Sequence, residues 1–388
     1  MTTSSVQVRR MDLDWLRVIA FGLLIFFHAA IIFVQGGLPL IQSATTSLEL
    51  AWFVAFLQEF RLGLLFLVSG AGTAFALRQR DRAEFFAERS RRLLIPAVFG
   101  ILIIVPPMVW VEKLHIGQFA GSFWTFYGEL FTHGVYPSGH LSWHHYWFVV
   151  YLALFCVIGW PLLTYLRSER GHAWVDHRVV RRLTAPRIYG FALVLLLFEL
   201  LLRPLFPGFR DLIHDWASFV HWFCVFIVGF ILVKHESVLA RVQSLRGRSL
   251  AIGIVTSGLM FYFYLADGGH SFHPFPHGDV SIEGFVVFSA IRMLNAWAWL
   301  LVCLGYASRY LRRSSSTLEY LNGAVYPLFC VHLTLIVWIG SWIVEKGLGV
   351  WSSYLVVCVL TVIGSLLCYE VIRRVGWLRV CFGLKPVG

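Results

Sequence analysis

The chain has 388 residues, of which 58% are hydrophobic and only 14% charged, and its mean hydropathy is +0.73. Soluble domains run about 45–50% apolar and about 25% charged, so this composition excludes an ordinary soluble protein, a disordered chain and a fibrous one. The formal charge of +11 first raises the question of which side of a membrane the cations occupy, and only then that of nucleic acid.

A bilayer core about 30 Å thick needs about 20 apolar residues in helical form. That window selects ten spans in chain order: 13–34, 50–77, 94–114, 147–166, 188–206, 218–234, 249–266, 282–308, 320–345 and 350–373. The first is expected to be a span rather than a cleaved signal, because its apolar run is long and no small-residue cleavage site follows. Basic residues are expected on the cytoplasmic flanks. With the N-terminus inside, 26 of the 32 Lys and Arg fall on inner segments. Lys113, Arg203, Arg210 and Lys346 lie on the outer side, and Arg61 and Arg292 lie within spans. The predicted fold is an all-α, polytopic integral membrane protein of ten transmembrane helices with both termini cytoplasmic, forming one domain over residues 1–388.

The loops divide in the same way. The outer segment 115–146 has no Lys or Arg but holds His115, His133, His140, His144 and His145, and the outer loop 267–281 reads DGGHSFHPFPHGDVS. Such polar, aromatic, Gly- and Pro-rich surface suits an uncharged or sugar-like ligand, and equally a short ordered loop with none. Six of the seven cysteines lie in spans and one in the inner tail, so no disulfide framework is implied. No CxxC or HExxH pattern occurs, so no metal site is expected.

Charge inside a span is costly and usually faces the bundle or a watery cavity. His28, Glu59, Arg61, Glu199, Arg292 and His332 fall, on five helices, about 16–27 Å above the inner ends of their helices at 1.5 Å per residue, which predicts a lined cavity. Glu59 and Arg61 are two apart and face different ways, whereas Glu199 and Arg203, four apart, are expected to pair structurally. A second layer, with Arg17, Arg89, Arg91, Arg92 and Glu370, lies near the inner face. Clustered Arg suits phosphate, and it also suits anchoring at anionic lipid.

The stretch MDLDWLRVIAFGLLIFFH, with ten residues between Arg17 and His28, resembles the signature of membrane acyltransferase family 3. RLGLLFLVSG from Arg61, ERSRRLLIP ending at Pro96, HYWFVVYL from His145, YLNGAVYPLFCVH ending at His332, and CYE ending at Glu370 are similar to the family's pattern in the same order. The nearest branch is the glucan-modifying one, similar to the periplasmic glucan succinyltransferase. One departure is Gly70-Ala71, where the family typically has Gly-Tyr.

The resemblance implies a multi-pass protein of the bacterial inner membrane that moves a short acyl group, acetyl or succinyl, from cytoplasmic acyl-CoA to a hydroxyl of a periplasmic or cell-surface glycan. Acyl-CoA enters as co-substrate, no bound cofactor is implied, and the partners are the donor, the glycan and membrane lipid, with no nucleic acid. A neutral His suits removal of the acceptor proton, which points to His28 and His332. Arg61 or Arg292 would stabilise the oxyanion, and Glu59 would orient a His tautomer or hold a sugar hydroxyl. Arg17, Arg89 and Arg92 are assigned to the CoA phosphates, and Arg292, His145 and Asn322 to the acceptor. The competing class is a secondary transporter or exporter of a small solute or glycoside, which also carries charge at the midplane. Against it, no inverted repeat and no matched pair of broken helices is evident.

Overall fold

A computed structural model describes residues 10–36, 41–78, 80–208, 210–233, 235–266 and 281–386. Nearly all of the outer loop at 267–281 lies outside them. Among the described residues there is no strand; a lone bridge joins Val135 to Leu141. Eight helices are long and apolar enough to cross a bilayer: α1 (Met11–Ile31), α2 (Leu48–Arg78), α3 (Arg82–His115), α6 (Ala185–Leu202), α8 (Glu236–Leu265), α9 (Ile282–Tyr310), α10 (Ser316–Val344) and α11 (Val350–Ile372). Between α3 and α6, helices α4 (His144–Ile158) and α5 (Trp160–Arg167) meet at a 63° bend and together make a ninth. Pro161 causes the break, since it brings no N–H to continue the helix. The one remaining expected segment, 218–234, is the shorter helix α7 (Trp216–Leu232).

The helix starts carry the residues that capping requires. Ser281 accepts from the Gly284 amide and Ser315 from the Leu318 amide, while Asp81 and Glu84 form a reciprocal capping box at α3. Helix α3 is irregular, with π turns at Ser90–Leu94 and Gly100–Ile104. Pro106 lacks the N–H that would bond the Leu102 carbonyl, and the Tyr127 hydroxyl donates to that carbonyl instead, at 3.1 Å. Thr334 Oγ1 on α10 donates to the Ile104 carbonyl at 2.8 Å, so the disturbed stretch of α3 is fastened to α10.

Helix α1 sits at the centre, packed against α2, α9, α10 and α11, and this makes its polar positions interior ones. Helices α2 and α7 approach backbone to backbone. A Cβ at Gly70 would strike the Phe226 carbonyl, and one at Gly229 would strike the Leu67 carbonyl. Gly100 on α3 similarly makes room for the Tyr146 ring, which a side chain there would overlap. These approaches bring α1, α2, α3, α4 and α10 around one cavity.

Candidate active site

Three histidines from three elements meet in the bundle. His28 on α1 and His332 on α10 are 7% and 1% exposed, and His28 Nδ1 lies 3.1 Å from His332 Nε2. The first turn of α4 adds His145, whose ring centre is 5.3 Å from that of His332. The proton positions follow from the partners. His332 Nδ1 is 2.7 Å from the Phe329 carbonyl, which only accepts, so in the neutral ring Nδ1 carries the proton and Nε2 a lone pair. His28 Nδ1 must then donate to it, which leaves the lone pair of His28 on Nε2. No hydrogen bond among the described residues engages that atom. His145 Nε2 donates to the Cys330 carbonyl at 3.1 Å, and the Tyr146 hydroxyl donates to the same carbonyl at 3.2 Å. Tyr146, seated against Gly100, thus props α4 against the His332 turn of α10.

His28 and His145 line a cavity of about 640 Å³. Arg61 also lines it, 1% exposed, with its guanidinium over the Phe27 ring at 3.1 Å. Its Nε and Nη1 have no hydrogen-bond partner among the described residues. A fixed, buried cation with open donors is suited to developing negative charge. Arg210, from the loop between α6 and α7, reaches the same cavity and lies over the Trp147 ring at 5.1 Å. Its backbone is left-handed, with φ of 66°, and its amide donates to Asp215 Oδ2 at 2.6 Å. Burial pushes its guanidinium down to about 10, with Asp215 and Tyr151 opposing, so it stays charged at neutral pH. The sequence reading left Arg210 out of the site. The available signal was an Arg kept on the side where basic residues are few.

Glu59 and Arg292 do not join the histidines, contrary to the single lined cavity expected from depth. Arg292 Nε donates to Glu59 Oε2 at 3.1 Å, and its Nη1 to Glu199 Oε1 at 3.4 Å. Glu199 also takes Arg203 at 3.1 and 3.2 Å, the structural pair expected from the i,i+4 spacing. Arg203 continues to Ser218 at 3.0 Å and to Asp215 at 3.6 Å. This network surrounds a separate cavity of about 40 Å³, and Leu62 lines both cavities. Glu59 therefore does not orient a histidine; the Phe329 carbonyl sets the His332 tautomer. The opposite facing of Glu59 and Arg61 is as their two-residue spacing requires.

Arg17 lines a third cavity, of about 260 Å³, with Asp14 and Gly72. Its Nη1 donates to Asn322 Oδ1 at 3.1 Å, and Asn322 Nδ2 donates to Asp14 Oδ1 at 3.2 Å. Asn322 accordingly stands with Arg17, ten residues and about 15 Å of helix before His332, and apart from both His145 and Arg292. Arg92 pairs with Glu88 at 3.1 Å, and Arg89 lies over Phe85 at 5.1 Å, contacts local to α3.

A family model described as an acyltransferase domain matches residues 11–370. The chain is similar to glucans biosynthesis protein C of Escherichia coli O139:H28 (strain E24377A / ETEC), with 21% identity over 390 residues, covering 98% of this chain and 95% of that protein. The protein of the same name from E. coli O6:K15:H31 (strain 536 / UPEC) is 22% identical over 389 residues, with the same coverage. No solved structure matches.

Proposed function

The chain belongs to the acyltransferase 3 family, and from that premise we propose that it is a membrane O-acyltransferase moving a short acyl group, acetyl or succinyl, from cytoplasmic acyl-CoA to a hydroxyl of a periplasmic or cell-surface glycan. The observation that carries the reading is the buried His28–His332 pair, 3.1 Å apart, beside a cavity that also holds the open donors of Arg61. A glycan acceptor is further supported by the similarity to glucans biosynthesis protein C.

The residues divide the work as follows. His28 Nε2 takes the proton of the acceptor hydroxyl, and the oxygen attacks the thioester carbonyl carbon. His332 accepts from His28 Nδ1 and shares the resulting charge. Arg61 donates to the carbonyl oxygen as it becomes an oxyanion, which is where fixed donors in a dry site are most effective. Collapse breaks the C–S bond, and the departing thiolate takes the proton from His28, giving free CoA and the O-acyl product. His145 positions the His332 turn through the Cys330 carbonyl and borders the acceptor's cavity.

The donor approaches from the other end of α1. Arg17 holds a CoA phosphate, and Asn322, bonded to both Arg17 and Asp14, fixes its guanidinium. Eleven residues from Arg17 to His28 rise about 16 Å, near the length of an extended pantetheine arm. Arg89 and Arg92 add positive charge on the same inner side. Orientation with both termini in the cytoplasm, in a bacterial inner membrane, belongs to this reading and rests on the one-sided Lys and Arg. Glu59 and Arg292 are assigned to holding α2, α6 and α9 together.

Mass spectrometry of cell-envelope glycans with and without the gene tests the function. The expected result is loss of one acyl mass, whose size names the acyl group and whose fraction names the acceptor. Unchanged glycans, with uptake or export of an intact solute lost instead, would support the transporter reading.

A further inference from the structure

The histidine-rich segment between α3 and α4 brings together side chains that the transfer reaction does not use. Glu129 and His133 are four apart on one turn, which continues the short helix Phe123–Gly128, with the His133 amide bonded to the Glu129 carbonyl at 3.2 Å. The chain then doubles back. The amides of His140 and Leu141 both donate to the Gly134 carbonyl, at 3.1 and 3.2 Å, and this lays His140 beside His133. The two imidazoles stack at 4.7 Å and lie within 8° of parallel. His140 is only 5% exposed, held between Phe126 at 4.2 Å and Phe119 at 5.7 Å.

One nitrogen from each ring and one Glu129 carboxylate oxygen lie within 4.8 Å of one another. Glu129 Oε2 is 3.7 Å from His133 Nδ1. Tetrahedral ligands at 2.0–2.1 Å from a zinc ion stand about 3.3 Å apart, and an imidazole lone pair lies in its ring plane, so the set closes when the exposed His133 ring turns out of its stack on His140. An independent observation points to a ligand: His140 Nδ1 is buried and has no hydrogen-bond partner among the described residues. Buried polar atoms in native proteins are nearly always partnered. Two imidazoles with one carboxylate are a donor set for a divalent transition ion, not for calcium or magnesium.

We propose that Glu129, His133 and His140 bind one divalent transition-metal ion of the zinc class, with the remaining position taken by water. The ion staples the ends of the 129–140 turn. That turn is fixed on its far side by Lys113, which donates to the Pro137 and Ser138 carbonyls at 3.2 Å each, and by Tyr136, which donates to Glu112 at 2.7 Å. Val135, Tyr136, Leu141 and Trp143 wall the cavity of His28, so the ion sets the shape of that wall without touching the reacting atoms. The spacing of four and then seven residues matches none of the short metal motifs, so the sequence did not disclose the site.

The test uses the full chain in detergent, purified without a polyhistidine tag, stripped with chelator and titrated with Zn²⁺ alone, and with Co²⁺ for its visible spectrum. The expected result is one ion per chain, a tetrahedral Co²⁺ spectrum and a raised Tm in zinc. E129Q, H133A and H140Q should each weaken binding by at least the roughly 10–100-fold that loss of an outer-shell partner costs a metal site, while H115A and H177A, at exposed positions, should not. Absence of stoichiometric binding by the wild-type chain overturns the proposal. So does binding that persists at full strength in E129Q and H140Q.

Discussion

Replacing Arg292 by Met separates a packing role for the Glu59 network from a chemical one. Among the described residues Arg292 is the ion-pair partner of Glu59, at 3.1 Å, whereas Glu199 keeps Arg203 when Arg292 is lost. Arg292→Met therefore strands one buried carboxylate, a loss of about 3–5 kcal/mol. Glu59→Gln removes the charge but leaves an oxygen that still accepts, and Arg292 retains Glu199 at 3.4 Å. That costs about 2 kcal/mol, typical of a hydrogen bond to a charged group. In the double variant no carboxylate is stranded at that position, so its loss should fall below the sum of the singles by about 1–3 kcal/mol. Thermal unfolding in detergent reads this, with Tm lowered by roughly 4–6 °C for Arg292→Met and partly restored in Glu59→Gln/Arg292→Met. Acyl transfer per folded molecule should be preserved in the double variant. Strictly additive losses, or an Arg292→Met protein of normal Tm that transfers nothing, would refute the assignment and return Arg292 to the reacting centre.

Other outcomes follow from the same geometry. Arg17→Ala should raise KM for acyl-CoA by about tenfold or more, as loss of a charge-assisted phosphate contact implies, and leave the acceptor KM unchanged; initial rates against each substrate decide. Asn322→Ala should give a milder form of the same KM effect, because Arg17 loses its 3.1 Å partner but keeps its charge. Gly100→Ala drives a methyl into the Tyr146 ring. Overpacking of this kind costs about 1–3 kcal/mol, so Tm and transfer should fall together, and Gly100→Ala/Tyr146→Phe should not restore either, because the overlap with the ring carbons remains when the clashing hydroxyl is removed.

The apolar windows placed the helices because each requires a long run of one composition, which is local information. His28, His332 and Arg61 were legible for the same reason: an ionisable side chain deep in such a run has few places to go but the bundle interior. Glu59 and Arg292 show where this reasoning stops. Depth along a helix says nothing about direction around it, and two side chains at the same height as His28 turned to a different cavity beyond Leu62. Asn322 was misplaced by the opposite error, since its contact with Arg17 follows from the packing of α10 on α1. The backbone carbonyls of Phe329 and Cys330, which fix the tautomer and the seat of His145, carry no side-chain signal at all. Nor does the seat of Tyr146, which depends on a glycine 46 positions earlier in the chain.

The central claim, that His28 accepts the acceptor's proton while His332 holds its tautomer, is tested most directly by CoA release from purified protein supplied with acyl-CoA and glucan. His28→Ala, folded and inserted as the wild type, should lose about 10²–10⁴-fold in kcat, the range for a general base, with little change in the KM for acyl-CoA. Full-rate transfer by that variant would contradict the account.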